Sequence, residues 1–413
     1  MGTTRSDFVS AELRRAPEDP MPLHGRRMTT RAVLRMGGLA GALTALLAGS
    51  GCEVEPTRPV SADSVRVAWS TPLDGRTEVI TPRFHSVAAD GQRLYVLWRG
   101  VVAYDLDSGA QLWRAAGGSA ADNVVVRDGR VFTSAAVARA LDGATGAELW
   151  SFTPDSSADA TSAVDELSFY IASESRRLYA LDVATGQPRW STEVLPTGPY
   201  KGAIPVGIVA HGDTLYVSLV EDTSPTGHLK RGWIVAVDRN DGKILWRYVN
   251  ERQGEPHDAG RHAVAGRMLL VNDLNGGAFF GVDRFTGKEV WRHIGRADLL
   301  GAWDVFQVAD GVAYLASGDT YAYAFDPETG KIHWKHDLRA SANSSAVCGN
   351  YVFAAAGSLH MLNRSTGKQE AALFLDEWGY VQSNDFVVSR LLSHGGRVYF
   401  VGNNAVYAVE CSR

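Results

Sequence analysis

Short runs of alternating apolar and polar residues recur from residue 65 to the end of the chain. Arg93-Leu-Tyr-Val-Leu97 and Arg177-Leu-Tyr-Ala-Leu181 are typical. Alternation with a period of two over five residues is the pattern of a half-buried β-strand, not of a helix. Tight-turn pairs separate the runs: Asp90-Gly91, Asp128-Gly129, Asp310-Gly311 and His394-Gly395. Two alternating runs joined by such a pair form a hairpin.

The hairpins belong to a repeat. Trp113, Trp150, Trp190, Trp246, Trp291 and Trp334 each follow an Asp by eight residues and a Gly by four. The Asp–Gly pairs are Asp105 and Gly109, Asp142 and Gly146, Asp182 and Gly186, Asp238 and Gly242, Asp283 and Gly287, and Asp326 and Gly330. A seventh copy is degenerate, with Asn363, Gly367 and then Ala371 in place of Trp. The tryptophans are 37, 40, 56, 45 and 43 residues apart, and a period near 40 means a propeller or a solenoid. In D-x-x-T-G the Asp accepts backbone N–H groups two and three residues on, and the Gly takes the left-handed conformation that closes the turn. The Trp opens the outermost strand, where it fills the wedge between sheets. Each unit then has four antiparallel strands whose faces can be buried only by radial packing.

Seven motifs end by residue 371, and Val387 to Val409 supply three more strands with no Trp after them. The missing strand is at the other end, Val65 to Ser70, with Trp69 as its docking residue. The expected fold is an all-β, eight-bladed propeller of four-stranded antiparallel blades over 65–413, its last blade closed by the N-terminal strand.

The first 64 residues differ in kind. Met36 to Gly51 carry no charge and follow Arg31 and Arg35. This is a basic region followed by an apolar one, too short for a permanent span. Residues 1–51 therefore read as an export signal, with Met28 as the expected start and 1–27 upstream of it. Thr30 to Arg35 resembles a twin-arginine motif lacking one arginine, and the general export route is the reading taken. Gly51 before Cys52 resembles a lipoprotein signal, with Gly49 where that family has Leu. The resemblance implies a lipidated Cys52 as the mature first residue. Residues 52–64 then form the lipidated cysteine and a tether.

Composition narrows the function. The chain has 413 residues with net charge −5, and residues 1–51 hold seven Arg against four acids, so the body carries −8. An acidic body argues against nucleic-acid partners. The three cysteines, Cys52, Cys348 and Cys411, form no CxxC, so structural zinc and c-type haem are not expected. Cys348 falls near a bottom turn, and Cys411 near the bottom of the neighbouring last blade. One lies near the axis and the other farther out, so the reading leaves them as separate thiols, with a bridge as the alternative.

The D-x-x-T-G-x-x-x-W repeat resembles the tryptophan-docking motif of quinoprotein-type propellers, over essentially all of 64–413. Two branches share it. The pyrroloquinoline-quinone (PQQ) dehydrogenases imply a bound quinone over adjacent cysteines, a calcium site and a catalytic Asp. The BamB-type lipoprotein of the outer-membrane barrel-assembly machinery implies a signal, a lipidated cysteine, a tether and one ring. Here no two cysteines are adjacent, and the layout is that of the second branch.

The face opposite the D-x-x-T-G turns, called the top, holds the residues that the repeat does not require. Trp98, Trp233, Trp303 and Trp378 map there, with Arg83, His85, Asn123, Lys201, His262, Asp304, Asn343, Asn384 and Asp385 at the entrances to first strands. Aromatic and polar groups there suit a binding surface or the mouth of the channel. The plainer alternative is that they pack loops and hold channel water. Lys201 and His262 belong to no nucleophile motif, so no catalytic residue is expected. Glu221 to Arg231 and Asn250 to Arg261 read as long polar loops at the top. The expectation is an exported, lipid-anchored, monomeric ring that binds a protein of the cell envelope, with a barrel-assembly complex as the leading partner. It needs no cofactor. The alternatives are a PQQ- and calcium-dependent oxidoreductase and a small-ligand or glycan sensor.

Overall fold

The computed structural model describes residues 65–73, 86–115, 123–195, 203–222, 230–252, 255–273, 277–295, 306–373, 387, 389–402 and 404–412. The regular elements among them are β-strands, gathered into eight antiparallel sheets. Blade 1 contains Val87–Ala89, Arg93–Leu97, Val101–Asp105 and Gln111–Ala115, and the next six blades follow the same order. Blade 8 joins Leu392–His394, Arg397–Val401 and Ala405–Glu410 to Val67–Pro72 from the other end of the chain. Trp69 pairs with Ala408 and Pro72 with Ala405 across that seam. The eight-bladed ring closed by the N-terminal strand is the architecture that the repeat implies.

Burial follows position in the blade. The second strand Arg93–Leu97 and third strand Val101–Asp105 are buried on both faces, because a neighbouring blade lies on each side. The outer strand Ile332–Asp337 instead alternates half-buried and exposed. Some innermost strands are short, three residues in Val87–Ala89 and Gln307–Ala309.

The repeat motif holds neighbouring blades together. Asp142 Oδ1 accepts the amides of Ala144 and Thr145 and the Thr145 hydroxyl. These bonds, the Thr145 hydroxyl first, hold the Asp142 carboxyl below the usual carboxylate range. Gly146 N donates back to Asp142 O. Seven indoles lie against the glycines of the next blade: Trp69 on Gly109, Trp113 on Gly146, Trp150 on Gly186, Trp190 on Gly242, Trp246 on Gly287, Trp291 on Gly330 and Trp334 on Gly367. Each indole N–H donates, at 2.9–3.1 Å, to the carbonyl of the residue after the motif's first position: Leu106, Gly143, Val183, Arg239, Arg284, Pro327 and Arg364. Room for the ring comes from a small cross-strand partner. The residues paired with these tryptophans are Ala408, Ala103, Ala140, Ala180, Ala236, Gly281 and Ala324.

Three local features differ from the sequence reading. The segment read as a loop from Glu221 to Arg231 is strand at both ends, at Glu221–Asp222 and Lys230–Arg231. The strands of blade 4, Ala203–His211, Thr214–Asp222, Lys230–Asp238 and Ile244–Arg252, run nine residues each, and only 223–229 fall outside the described residues. Asn250 to Arg261 likewise folds back. Glu255–Pro256 adds a fifth strand to blade 4, and His257 O accepts Gly232 N.

The third difference is covalent. Cys348 and Cys411 form a disulfide with a Cα–Cα distance of 5.6 Å, so the expectation of separate thiols is corrected. The radial offset that argued against a bridge disappears because the corner of blade 7 packs against the side of blade 8. Cys348 Sγ lies 3.9 Å from Arg397 O on the second strand of that blade.

Candidate functional site

The structure separates the thirteen top-face candidates into two groups. Arg83, His85, Lys201, Trp303, Asp304, Trp378, Asn384 and Asp385 lie outside the described residues, as does Cys52. The five that are described are engaged within the ring.

Asn123 starts the first strand of blade 2 and is buried. Its Nδ2 donates to Ser162 O and Oγ of blade 3, and its Oδ1 accepts from Ser86 Oγ of blade 1. One amide thus links three innermost strands around the axis. Asn343 Nδ2 donates to Val387 O across the junction of blades 7 and 8. His262, 2% exposed, places Nε2 2.9 Å from Tyr216 O of blade 4, so Nε2 carries the proton. A polar group on a first strand faces a neighbouring blade whose backbone is within reach, which is why these entrances are polar.

Trp98 is buried in the apolar cluster between blades 8 and 1, with Arg99 at 5.5 Å over its ring. Trp233 is half-buried in the blade 3–4 cluster and donates Nε1 to Glu221 Oε2 at 3.1 Å. Both stand at the ends of their blades opposite the D-x-x-T-G turns. Trp233 belongs to the part of blade 4 that outruns its neighbours.

Burial pushes the His262 imidazole down to about 4. An unfolded histidine titrates near 6.5. The unfolded chain therefore binds the extra proton between those values, and stability present above about pH 6.5 is lost as pH falls toward 4. The wild-type ring is expected to lose about 2 kcal/mol between pH 7 and pH 5 from this one group. Burial also lowers His293 and His360, which act with the same sign. Urea unfolding at the two pH values checks this. His262→Gln should flatten the pH dependence, and an unchanged slope would refute the assignment.

A polar cluster that the sequence gives no reason to single out lies between blades 4 and 5. Arg292 Nη2 donates to Asn250 Oδ1 at 2.9 Å and to Tyr248 OH at 3.1 Å, and the guanidinium pairs with both carboxylate oxygens of Glu289. It lies 4.1 Å over the Phe280 ring. Asn250 Nδ2 donates to Asp258 O, and His257 Nδ1 is 3.3 Å from Asp273 Oδ2. The bonds strap the folded-back segment to the ring. The contacts that cross from one blade to the other are long in sequence, 44 residues for Arg292 with Tyr248 and 42 for Arg292 with Asn250, too far for any motif to join them.

The second-strand tyrosines are also new. Tyr95, Tyr216 and Tyr399 place their phenol oxygens 3.1–3.4 Å from Gly143 O, Arg284 O and Leu106 O, the same carbonyls that accept the indoles of Trp113, Trp246 and Trp69, and Tyr95 OH donates to Asp90 Oδ2 at 2.7 Å. Each is about 6 Å from the tryptophan with which it shares a carbonyl.

Among the described residues, no group of three or more His, Cys, Asp or Glu is gathered closely enough to hold a metal ion. The paired cysteines are 63 residues apart and bridge two blades. They are not the adjacent pair that a quinone site implies. The described residues thus gather no carboxylate set for calcium.

The family model described as outer membrane protein assembly factor BamB matches residues 58–220 and 230–413. The crystal structure of BamB from Moraxella catarrhalis superposes with a TM-score of 0.59 at 17% identity, covering 84% of this chain and 97% of that one. Quinohemoprotein alcohol dehydrogenase from Comamonas testosteroni gives 0.65 at 16%, covering 84% and 77%. At those identities the structures establish the fold alone. Tetrathionate hydrolase from Acidithiobacillus ferrooxidans is 25% identical over 219 residues, 48% of this chain, and the chain spans only 41% of its length.

Proposed function

The chain belongs to the family described as outer membrane protein assembly factor BamB, and from that membership we propose that it is a non-catalytic binding propeller of the cell envelope. Its role is to assist outer-membrane β-barrel assembly through protein–protein contacts, as a monomeric ring anchored by lipid at Cys52. The observation that carries this reading is the family match itself, which runs through both halves of the ring. The state of the described top-face groups supports it. Asn123, His262 and Asn343 each hydrogen-bond a neighbouring blade, which ties them to the ring.

The contact element in this reading is blade 4. Its nine-residue strands exceed the five-residue strands of blades 1 and 2 by four residues, roughly 13 Å of extra sheet. Ile204 there is 48% exposed. An exposed aliphatic group on a rigid projection is a suitable anchor for a protein partner.

Pull-down of the full chain from detergent-solubilised native membranes tests the proposal. An outer-membrane barrel protein is expected among the recovered proteins, and Ile204→Asp should lower its recovery about tenfold, leaving thermal unfolding unchanged. Recovery of no barrel protein would overturn the assembly role. Likeness to quinoprotein dehydrogenases supplies the second reading, for which calcium-dependent dye reduction with added PQQ is the positive sign.

A further inference from the structure

Seven of the eight blade junctions carry a tryptophan dock, and the junction from blade 7 to blade 8 does not. The outer strand of blade 7, Gln369–Leu373, has Ala371 at the docking position, fully buried. Its cross-strand partner is Met361, where every docking tryptophan faces Ala or Gly. Large and small have exchanged places, so the space is filled from the third strand and no indole reaches across to blade 8.

The receiving half is also altered. Glu410 stands where other blades have the motif's first residue, so Cys411 occupies the place of Leu106, Gly143 and Arg284, whose carbonyls accept the indoles. Backbone bonding confirms the equivalence. Cys411 N donates to Gly396 O just as Leu106 N donates to Gln92 O and Gly143 N to Gly129 O. The residue that would receive an indole is the one bound covalently to blade 7 through Cys348.

We propose that the Cys348–Cys411 disulfide is the eighth inter-blade staple and makes ring closure redox-sensitive. It replaces the tryptophan dock at the junction from blade 7 to blade 8. Blade 8 also holds the seam with Val67–Pro72, so the cross-link fixes the C-terminal half of the closure. A dithiol reductant would open it by thiol–disulfide exchange. The S–S bond breaks, each sulfur takes up one electron and one proton, and the reductant is oxidised to its own disulfide. The closed ring therefore belongs to an oxidising compartment. The inference stands on blade packing and does not depend on the partner proposed above.

Hydrogen exchange on the full chain, with and without dithiothreitol, tests it. Alkylation and peptide mapping first establish that Cys348 and Cys411 are linked before reduction and free after it. Reduction is expected to speed exchange about 100-fold in 397–410 and 67–72, with little change in blades 2 to 4. The C348S/C411S double variant should match the reduced protein and ignore the reductant, and Trp291→Ala should loosen blades 5 and 6 instead. Unchanged protection in blade 8 after confirmed reduction would overturn the proposal. So would free thiols at both positions in protein taken from the cell envelope.

Discussion

A chain shortened to begin at residue 74 is expected to lose its closed ring. The deletion removes the outer strand of blade 8, whose pairings run from Val67 with Val409 to Pro72 with Ala405. It also removes the Trp69 dock on Gly109 and the Trp69 bond to Leu106 O. Losing the buried indole alone costs about 3–5 kcal/mol. The deletion adds a bare edge along Ala405–Glu410, an invitation to pair with another chain. The expected result is loss of most of a typical domain stability of about 5–15 kcal/mol, with association through the open edge. Size-exclusion chromatography and limited proteolysis check it. A monomeric, protease-resistant truncation would mean that the seam contributes little.

Trp150→Ala should have the largest effect of any single substitution at a dock. The indole is buried between Phe132 of its own blade, at 6.0 Å, and Phe169 of the next, at 6.3 Å. Its Nε1 donates to Val183 O at 3.0 Å. Removing the ring leaves a cavity with that carbonyl unpaired, for an expected loss of about 3–5 kcal/mol in urea unfolding. Gly186→Ala attacks the same dock from the other side. Gly186 has φ +72°, and an added Cβ would lie 2.6 Å from the indole, so strain and clash combine. Trp150→Phe should lie in between, keeping most of the apolar area and losing the hydrogen bond. If Trp150→Ala costs less than about 1 kcal/mol, the docks are not what holds the blades together.

Much of this architecture is legible in the chain because its carriers are local. An Asp, a Gly and a Trp within nine residues specify a turn and the strand after it, and Ala371 marks the odd junction in the same register. What escapes the sequence depends on neighbours that the register does not name. A tyrosine on a second strand looks like any strand tyrosine, and only the adjacent blade shows that Tyr95 and Trp113 share Gly143 O. The Cys348–Cys411 bridge needs the lateral offset between blades, which strand order alone misjudges. Polar residues at first-strand entrances read equally well as a binding site or as ring hardware. The described ones, Asn123, His262 and Asn343, are hydrogen-bonded to neighbouring blades.

That division between hardware and chemistry is the central claim, and a titration tests it most directly. The purified full chain would be heated with increasing PQQ in the presence of calcium, with thermal unfolding and dye-linked alcohol oxidation read together. The account predicts an unchanged unfolding temperature and no dye reduction. A saturable rise in unfolding temperature with calcium-dependent dye reduction would contradict it and make the ring an enzyme.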